Sequence, residues 1–302
     1  MIKNFIDLND FNKSELRKFL NFAKKIKNNP NKFNSLLKNK SLGLIFEKQS
    51  VRTRVSFLIG MQKLGGNVVE LEQNQIGFGI RESAEDILKV LSKYIDVLMI
   101  RNDDHKLLSY LASLNILPVI NGLSNYSHPC QVLSDIFTIE EIKGKIENKT
   151  ITWFGDINNV LISLIHASKI FKFKLNILTA DSIIKKNNKL LDNLNLNYVN
   201  FHQDIDSGVK NTDCIMTDVW VSMGEKNSIN KKKILKEYQV NEKIMKKVNK
   251  KTIFMHCLPA HRNEEVTSCV IDSKQSIVLR QAENRLFVQQ SILYFLLNDV
   301  KK

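Results

Sequence analysis

The sequence predicts an α/β protein built from two doubly wound parallel-sheet domains. Short apolar runs rich in β-branched residues alternate with stretches whose apolar positions recur at helical spacing. This alternation is typical of parallel strands that are covered by helices on both faces. The runs fall into two successive sets, and a chain of 302 residues with 43% hydrophobic content can bury a core in each of two domains.

The apolar runs predict the strands. In the first half of the chain the strands are expected at 42–46, 67–72, 96–101 and 117–121. In the second half they are expected at 151–154, 175–179, 213–217, 252–256 and 276–279. Helical spacing of the apolar residues between them predicts helices at 83–94, 106–114, 160–171 and 242–248.

Two further helices set the predicted domain boundaries. A helix that begins near His128 and runs through Ile142 is expected to bridge the domains, and a final helix at 286–297 is apolar on most sides. A helix that is apolar all round is normally buried, so we expect this last helix to pack back on the first domain. The predicted division is a first domain at 1–140 completed by 285–302, and a second domain at 141–284.

Composition argues against several classes of protein. The net charge is +14, but the lysines are spread over the whole length, so we expect no nucleic-acid or membrane partner. A basic nucleic-acid-binding protein remains an alternative hypothesis. No run of about 18 apolar residues predicts a membrane span, and the N-terminus lacks the apolar region of a signal peptide. The four cysteines form no CxxC pair and indicate reduced thiols in a cytoplasmic protein.

The most informative segment follows the first predicted strand. Ser50 is a candidate N-cap of a helix whose apolar face includes Val51 and Val55, and Arg52 and Arg54 fall in its first turn. A helix N-terminus already carries about half a positive charge, so two arginines there cost stability unless an anion lies among them. Free backbone N–H groups, hydroxyls and guanidinium groups would together bind a phosphate. The alternative interpretation is a solvated basic turn.

Polar residues follow most of the other predicted strands. In open parallel sheets, ligands bind beyond the carboxyl ends of the strands, so these residues mark one edge of each sheet. In the first half the segments are 50–54, 73–75, 101 and 127–131; in the second half they are 155–159, 218–224, 256–262 and 281–285. The sequence therefore predicts an active site in the cleft between the two domains.

Taken singly, several of these residues have other interpretations. His128 could cap a helix, and Cys257 could be a small core residue or, with His128, part of a thiol hydrolase. Gly155 and Asp156 after a strand are typical of dinucleotide sites, but no GxGxxG follows, so a dinucleotide-dependent oxidoreductase is an alternative only. Structural roles, as helix caps or ion-pair partners, are open for Asn159, Asp218 and Arg285.

Four motifs taken together carry a more specific signal. They are Phe-Glu-Lys-x-Ser-x-Arg-Thr-Arg at 46–54, His-Pro-x-Gln at 128–131, Asp-x-Trp-x-Ser-Met-Gly at 218–224 and His-Cys-Leu-Pro at 256–259. In this order they resemble the aspartate/ornithine carbamoyltransferase family, and the last two resemble its ornithine branch. The resemblance extends from Phe46 through Arg285, which is nearly the whole chain.

The resemblance implies a role for individual residues on the carbamoyl-phosphate side. The phosphate would be held by Ser50, Arg52, Thr53 and the backbone of Val51. The carbamoyl group would be bound by Arg101, which bridges phosphate and carbonyl oxygen, and by His128, Gln131 and Arg285. Gln75 would enter the site of a neighbouring subunit, so the resemblance implies a homo-oligomer, most simply a trimer.

The resemblance also implies roles for the residues that bind the acceptor substrate. The amino-acid end of ornithine would be bound by Asn159, Asp218, Ser222 and Met223, and the pocket where amine meets carbamoyl carbon would be lined by Cys257 and Leu258. The implied catalytic residues are Arg101, His128, Cys257 and Arg285. We expect Cys257 to be a polar pocket wall and not a covalent nucleophile.

The implied reaction is carbamoyl transfer to the δ-amine of ornithine, which gives citrulline and phosphate through a tetrahedral intermediate. The implied pathway is arginine biosynthesis. Arg101, Thr53 and His128 are donors suited to the developing oxyanion. The chemistry requires no cofactor or metal, and none is expected. The alternative acceptors are a related amine such as putrescine and an N-acylated ornithine.

The chain departs from the family pattern at three positions. Val51 stands where a threonine is usual, which removes one hydroxyl and predicts weaker phosphate affinity. Arg280 occupies a position that is usually acidic, and Phe287 replaces a commonly polar residue just after Arg285.

Overall fold

The computed structural model describes residues 3–72, 76, 78, 82–221 and 228–298. The chain divides into two compact units. The first comprises Met1–Ser134 with Glu283–Lys302, and the second comprises Asp135–Ala282. Within the described ranges, no helix combines the length and apolar character that crossing a bilayer requires.

Among the described residues, each unit contains one sheet, and its strands are all parallel. The first sheet contains β1 (Ser41–Phe46), β2 (Asn67–Glu72), β3 (Val97–Arg101) and β4 (Val119–Leu123), in the order β2-β1-β3-β4. The second contains β5 (Thr150–Phe154), β6 (Lys174–Leu178), β7 (Val199–His202), β8 (Cys214–Thr217) and β9 (Ile253–His256), in the order β7-β6-β5-β8-β9. The predicted fold class, two parallel-sheet α/β domains, is confirmed.

Helices alternate with these strands along the chain. They are α1 (Lys13–Asn28), α2 (Val51–Lys63), α3 (Ala84–Leu91), α4 (His105–Ser113), α5 (Pro129–Lys143), α6 (Asn159–Phe171), α7 (Asp181–Lys186), α8 (Asn188–Leu191), α9 (Ile205–Val209), α10 (Ser228–Leu235), α11 (Glu242–Lys247), α12 (Ser268–Ile271) and α13 (Val278–Asn298).

The core of the first unit forms where the central strands meet the helices beside them. Leu98 and Ile100 on β3 are fully buried and pack with Ile45 of β1. Leu108 and Leu111, one helical turn apart on α4, close the same cluster. Central strands buried on both faces explain why β1 and β3 read as continuous apolar runs.

Helix α1 also belongs to the first unit, although no prediction covered it. Its N-terminus carries a capping box, in which the Asn12 side chain accepts from the Glu15 N–H and the Glu15 side chain accepts from the Asn12 N–H. Phe19 packs edge-on against Phe295 of α13, with ring centroids 5.1 Å apart, and its carbonyl accepts from the Ser291 hydroxyl. The capping box and the amphipathic pattern of this segment together would have predicted the helix from the sequence.

In the second half of the chain, one predicted strand is wrong and one strand was missed. The predicted strand at 276–279 is wrong, because Ser276 forms only an isolated bridge with Phe254 and α13 begins at Val278. Edge strand β7 was missed, because it is half-exposed and polar at Asn200 and His202 and so shows no apolar run. An edge strand is paired on one side only and needs fewer apolar residues.

Strand register brings the loops that carry the predicted site residues together within each unit. In the first sheet, Phe46 is paired with Arg101, and Arg101 with Leu123, so β1, β3 and β4 end at one edge. In the second sheet, Phe154 is paired with Thr217 and Thr217 with His256, so β5, β8 and β9 end at one edge. The polar segments that follow these strands therefore start side by side.

We predict that Gly155→Ala, just after β5, destabilises the second unit by about 2–4 kcal/mol. Gly155 has φ +109, a conformation that favours glycine, and an added Cβ would lie 3.0 and 3.1 Å from two indole atoms of Trp220. Urea unfolding measures the loss.

Gly144→Ala is the matched control for this prediction. Gly144 also has positive φ, at +76, but an added Cβ there meets no atom within 4 Å. Only backbone strain should remain, so we expect a loss of about 1 kcal/mol. Equal losses in the two variants would contradict the proposed contact with Trp220.

Candidate active site

The first turn of α2 collects positive charge and free backbone donors. Ser50 occupies the N-cap position in an extended conformation, yet its side chain makes no capping hydrogen bond. Instead, Arg101 Nη1 donates to Ser50 Oγ at 3.0 Å. The first turn of α2 contains no acidic residue. The N–H groups, the positive end of the helix dipole and the guanidinium group of Arg101 thus all lie at the first turn of α2, where they favour an anion.

A second guanidinium group reaches the same turn from α13. Arg285 is buried, and its Nη2 donates to Thr53 Oγ1 at 2.7 Å. Thr53 is itself buried on the inner face of α2. The contact fixes the Thr53 hydroxyl and places a full positive charge beside the helix N-terminus. An arrangement of this kind favours an anion with several acceptor oxygens.

The start of α5 adds a neutral imidazole to this cluster. His128 is buried immediately before the helix. Burial lowers the pKa of His128 well below its ordinary value, and the charges of Arg285 and then Arg101 lower it further. The imidazole is therefore neutral near pH 7 and can donate one hydrogen bond to a ligand without adding charge.

Two neighbours of His128 on α5 are also buried. Gln131 lies in the first turn, where its amide offers both a donor and an acceptor. The Cys130 thiol donates to the Asn121 carbonyl at 3.5 Å, and burial raises the pKa of Cys130 to about 12. Cys130 is therefore a protonated core thiol and cannot act as a nucleophile.

In the second unit, a carboxylate is held by two donors. Asp218 is buried just after β8. Cys257 Sγ donates to Asp218 Oδ1 at 3.1 Å, and Asn158 Nδ2 donates to Asp218 Oδ2 at 2.8 Å. The same Asn158 side chain caps α6, since its Oδ1 accepts from two helix N–H groups at 3.1 Å each. The cap of α6 and the orientation of Asp218 thus depend on one amide.

Asn158 contacts the candidate site residue Asp218, although the sequence prediction gave Asn158 no role of its own. The prediction named Asn159, which is the first residue of α6 and half-buried. The available signal was the capping preference of asparagine immediately before a helical pattern. With two asparagines in succession, spacing alone does not say which one caps.

The turn after β9 carries Cys257 and Leu258. Leu258 has φ +58, in the left-handed region, and its N–H donates to His256 Nδ1 at 2.9 Å. Cys257 is half-buried between these two residues. The turn therefore aims the thiol at Asp218.

The remaining predicted residues are placed as follows. Arg52 is half-buried in the first turn of α2, and the Val51 side chain is 74% exposed, which leaves only its backbone N–H for a ligand. Of the two other family departures, Arg280 is exposed, while the Phe287 ring lies under Lys27 Nζ, 5.6 Å from the ring centroid. Gln75, Ser222 and Met223 lie outside the described residues.

Among the described residues, two groups of side chains have the ligand atoms to hold a metal ion. Asp218, His256 and Cys257 have ligand atoms within 4.8 Å of one another, as do His261, Glu264 and Glu265. In the first group, both ring nitrogens of His256 are engaged in hydrogen bonds within the protein. Metal binding would have to displace these bonds, so the donor set does not match a dedicated metal site.

We predict that His128 makes the protein less stable in mild acid. The unfolded chain binds a proton on this imidazole below about pH 6.5, whereas the folded chain does not. The free energy of unfolding should therefore fall, as the pH drops below that value, by up to about 1.4 kcal/mol per pH unit. His128→Gln should have a shallower slope between pH 7 and pH 5 in urea unfolding. His128→Asn should match it, and slopes equal to that of the parent chain would refute the assignment.

Comparison with known proteins identifies the family. Residues 3–141 match the model of the aspartate/ornithine carbamoyltransferase carbamoyl-P binding domain, and residues 147–296 match that of the Asp/Orn binding domain. The chain is 45% identical to an ornithine carbamoyltransferase of Rhodopseudomonas palustris over 305 residues, which covers 99% of this chain and 98% of the relative. The corresponding enzyme of Bradyrhizobium diazoefficiens is 43% identical, with the same two coverages.

Solved structures agree with the sequence relatives. The ornithine carbamoyltransferase structure from Burkholderia thailandensis has a TM-score of 0.89 at 38% identity, covering 98% of this chain and 99% of that chain. The one from Pyrococcus furiosus has a TM-score of 0.89 at 39% identity, covering 99% and 98%. Both domain models, full-length relatives and full-length structures converge, and the chain belongs to the aspartate/ornithine carbamoyltransferase family.

Proposed function

We propose that the chain is an ornithine carbamoyltransferase, which transfers the carbamoyl group of carbamoyl phosphate to the δ-amine of L-ornithine. The products are L-citrulline and phosphate. The observation that carries the proposal is the first turn of α2, where Arg101 contacts Ser50 and Arg285 contacts Thr53 without any acidic residue in that turn. A dianionic phosphate matches this concentration of donors and positive charge.

These contacts support the proposed carbamoyl-phosphate site. The phosphate binds at the N-terminus of α2, to Ser50, Arg52, Thr53 and the backbone N–H of Val51. Arg101 bridges the phosphate and the carbonyl oxygen, and His128, Gln131 and Arg285 hold the carbamoyl group. The neutral state of His128 suits this role, because a neutral imidazole donates to the carbonyl oxygen without drawing the phosphate out of its own site.

The ornithine site centres on Asp218. Its buried carboxylate suits the α-ammonium group of an amino acid, and Asn158 and Cys257 hold its two oxygens in place. Asn159, Ser222 and Met223 complete this end of the substrate. Cys257 and Leu258 line the pocket of the reacting amine. Because the Cys257 thiol donates its hydrogen to Asp218, it serves as a pocket wall and not as a nucleophile.

The reaction proceeds by direct attack. The δ-amine has an ordinary pKa near 10.4, so it reacts from its neutral form, which a desolvated pocket favours. Its lone pair forms a bond to the carbamoyl carbon, and the carbonyl oxygen of the tetrahedral intermediate becomes negative. Arg101, Thr53 and His128 stabilise that oxygen, each by about 3–4 kcal/mol at most. The C–O bond to phosphate then breaks, and the departing phosphate accepts the proton of the amine.

We also propose a homotrimer in which Gln75 of one subunit enters the site of its neighbour. The support is a set of exposed apolar residues on the first unit. Val51 and Val55, one turn apart on α2, are 74% and 51% exposed, and Val69 on edge strand β2 is 44% exposed. Exposed apolar side chains and an open sheet edge both favour association with another chain. A second copy of the chain is the partner that Gln75 requires.

The compartment and the pathway of the reaction are also part of the proposal. We propose a cytoplasmic enzyme of arginine biosynthesis that needs no cofactor. The described cysteines form no disulfide, which fits a reducing compartment. One structural relative, at 34% identity, is described as the anabolic ornithine carbamoyltransferase of Campylobacter jejuni.

The purified protein should form citrulline from carbamoyl phosphate and L-ornithine, measured by a colorimetric citrulline assay. Putrescine, aspartate and N-acetylornithine serve as competing acceptors in parallel reactions. Asp218→Asn should lower kcat/KM for ornithine by roughly 10²-fold or more, because the carboxylate that pairs with the α-ammonium group is lost. Carbamoylation of another amine without citrulline formation would show that this amine, and not ornithine, is the acceptor.

A mixture of Gln75→Ala and Arg52→Ala chains tests the shared site. Each variant alone should be nearly inactive. If equal amounts of the two chains assort at random, each mixed trimer has one site in three that combines an intact Arg52 with an intact Gln75 from the neighbour, which is roughly a quarter of the sites over all trimers. We therefore expect partial recovery of citrulline formation after the two variants are unfolded and refolded together. Mixed trimers without any recovery would show that each site is self-contained.

A further inference from the structure

We propose that Lys27, in the last turn of α1, is a positioning residue for Arg285. It acts through Asn284 and Phe287, which precede and follow Arg285 on α13. The inference rests on the proposed function, in which Arg285 holds the carbamoyl group of carbamoyl phosphate. The reaction described above gives Lys27 no role, and it does not account for the departure from the family pattern at Phe287.

Three contacts place the Lys27 ammonium group beside one turn of α13. Lys27 Nζ donates to Asn284 Oδ1 at 2.7 Å, and it lies 5.6 Å from the centroid of the Phe287 ring. It also lies 3.6 Å from Glu283 Oε2. The contacted residues lie on both sides of Arg285 in the chain, so the ammonium group spans the turn that carries this guanidinium group.

Helix geometry puts Lys27 and Arg285 on different sides of this turn. Successive residues of an α-helix are rotated by about 100° around its axis, so Asn284 and Phe287 share one face. Arg285 lies about 100° or more away from both. On its own side, Arg285 Nη2 donates to Thr53 Oγ1 at 2.7 Å. The turn is thus held from two directions, by α1 through Lys27 and by α2 through Thr53.

Ion pairing does not explain why a lysine occupies position 27. The Lys27 side chain is only 19% exposed, whereas the Glu283 side chain is 57% exposed. An ion pair with an exposed carboxylate contributes little to stability, and removing most of an ammonium group from water is costly. The Asn284 side chain, by contrast, is fully buried, and its oxygen loses a donor if an apolar residue replaces Lys27. The contact with Asn284 is therefore the one that favours a lysine here.

The aromatic ring of Phe287 stabilises the same ammonium group. Phe287 stands where the family commonly has a polar residue. A cation near the face of an aromatic ring is attracted by the electrons of the ring, most strongly where water is excluded. Because Phe287 is half-buried, its ring holds the Lys27 ammonium group against Asn284. The departure at Phe287 thus supports the position of Arg285.

The rest of the contact between α1 and α13 does not depend on Lys27. The Ser291 hydroxyl donates to the Phe19 carbonyl at 2.8 Å, and the Phe19 and Phe295 rings meet edge-on. These contacts lie more than one turn of α13 beyond Arg285. Loss of the Lys27 contact should therefore leave the two helices packed and change the turn around Arg285.

Calorimetry with two ligands isolates the contact that Arg285 makes. Phosphonoacetamide has a methylene carbon in place of the bridging oxygen of carbamoyl phosphate, so its carbamoyl group cannot be transferred, whereas inorganic phosphate has no carbamoyl group. The parent chain should bind phosphonoacetamide more tightly than phosphate. In Lys27→Met the ratio of the two Kd values should fall by about tenfold, because a displaced guanidinium group loses its hydrogen bond to the carbamoyl group. The kcat/KM for carbamoyl phosphate should fall by a similar factor, and the KM for ornithine should stay within about twofold.

Two further variants test the route from Lys27 to Arg285. Lys27→Arg should keep most of the Kd ratio, because its guanidinium group can donate to Asn284 and stack on Phe287. Phe287→Leu keeps an apolar side chain but removes the ring, so the ratio should fall by only about threefold. The double variant Lys27→Met/Phe287→Leu should lose no more than Lys27→Met alone, because the ring then has no cation to hold.

Ser291→Ala is the control for a general loosening of the contact between α1 and α13. Ser291 is fully buried, and its hydrogen bond to Phe19 joins the same two helices. This variant should be destabilised in urea but should keep both the Kd ratio and the kcat/KM for carbamoyl phosphate. An equal loss in Ser291→Ala and Lys27→Met would overturn the proposal.

The remaining outcomes also decide the matter. A Kd ratio in Lys27→Met within about twofold of the parent would overturn the positioning role. If Lys27→Met does not fold, Phe287→Leu decides, and an unchanged ratio there would overturn the role as well. If the parent chain forms no citrulline and binds phosphonoacetamide no more tightly than phosphate, the proposed function fails, and this inference fails with it.

Discussion

The site of the first unit depends on one electrostatic constraint, which is the concentration of positive charge at the N-terminus of α2. The helix dipole, Arg52 and the guanidinium groups of Arg101 and Arg285 act on one turn, and that turn contains no acidic residue. The same field explains His128, whose pKa the two buried arginines push down after burial has already lowered it. A dianion relieves this repulsion and binds where the donors already point, which is electrostatic preorganisation before any chemistry begins.

The second unit, which is also a parallel sheet with helices, has the opposite charge at its candidate site. There the edge of the sheet presents a carboxylate, Asp218, and neutral donors from Asn158 and Cys257 hold it. Neutral donors orient the oxygens without cancelling the charge, so the carboxylate remains able to attract an ammonium group. In the proposed function, phosphate and amino acid would therefore bind to separate parallel sheets of opposite local charge, each at the carboxyl ends of its strands.

Most of the fold was predictable from the sequence, because central parallel strands are buried on both faces and stand out as apolar runs. The exceptions have local causes. Strand β7 pairs on one side only and is half polar, so it shows no run, while the apolar segment at 276–279 contributes a single bridge before α13 begins. Helix α1 was missed although its capping box was readable. Local patterns thus predicted the buried central strands well and the elements at the edge of a sheet or before the first strand poorly.

The residues that the sequence predicts for the site lie in contiguous motifs. Asn158 has no motif of its own, and it contacts Asp218 across 60 residues of the chain. Spacing in the sequence cannot show that one amide both caps a helix and holds a carboxylate. Such residues touch reacting groups only through a neighbour, so mutational effects there should separate substrate binding from catalysis in ways that a motif does not suggest. In this chain the residues proposed to bind substrate are found in sequence motifs, whereas a residue such as Asn158, which holds Asp218 in place, is recognised only in the fold.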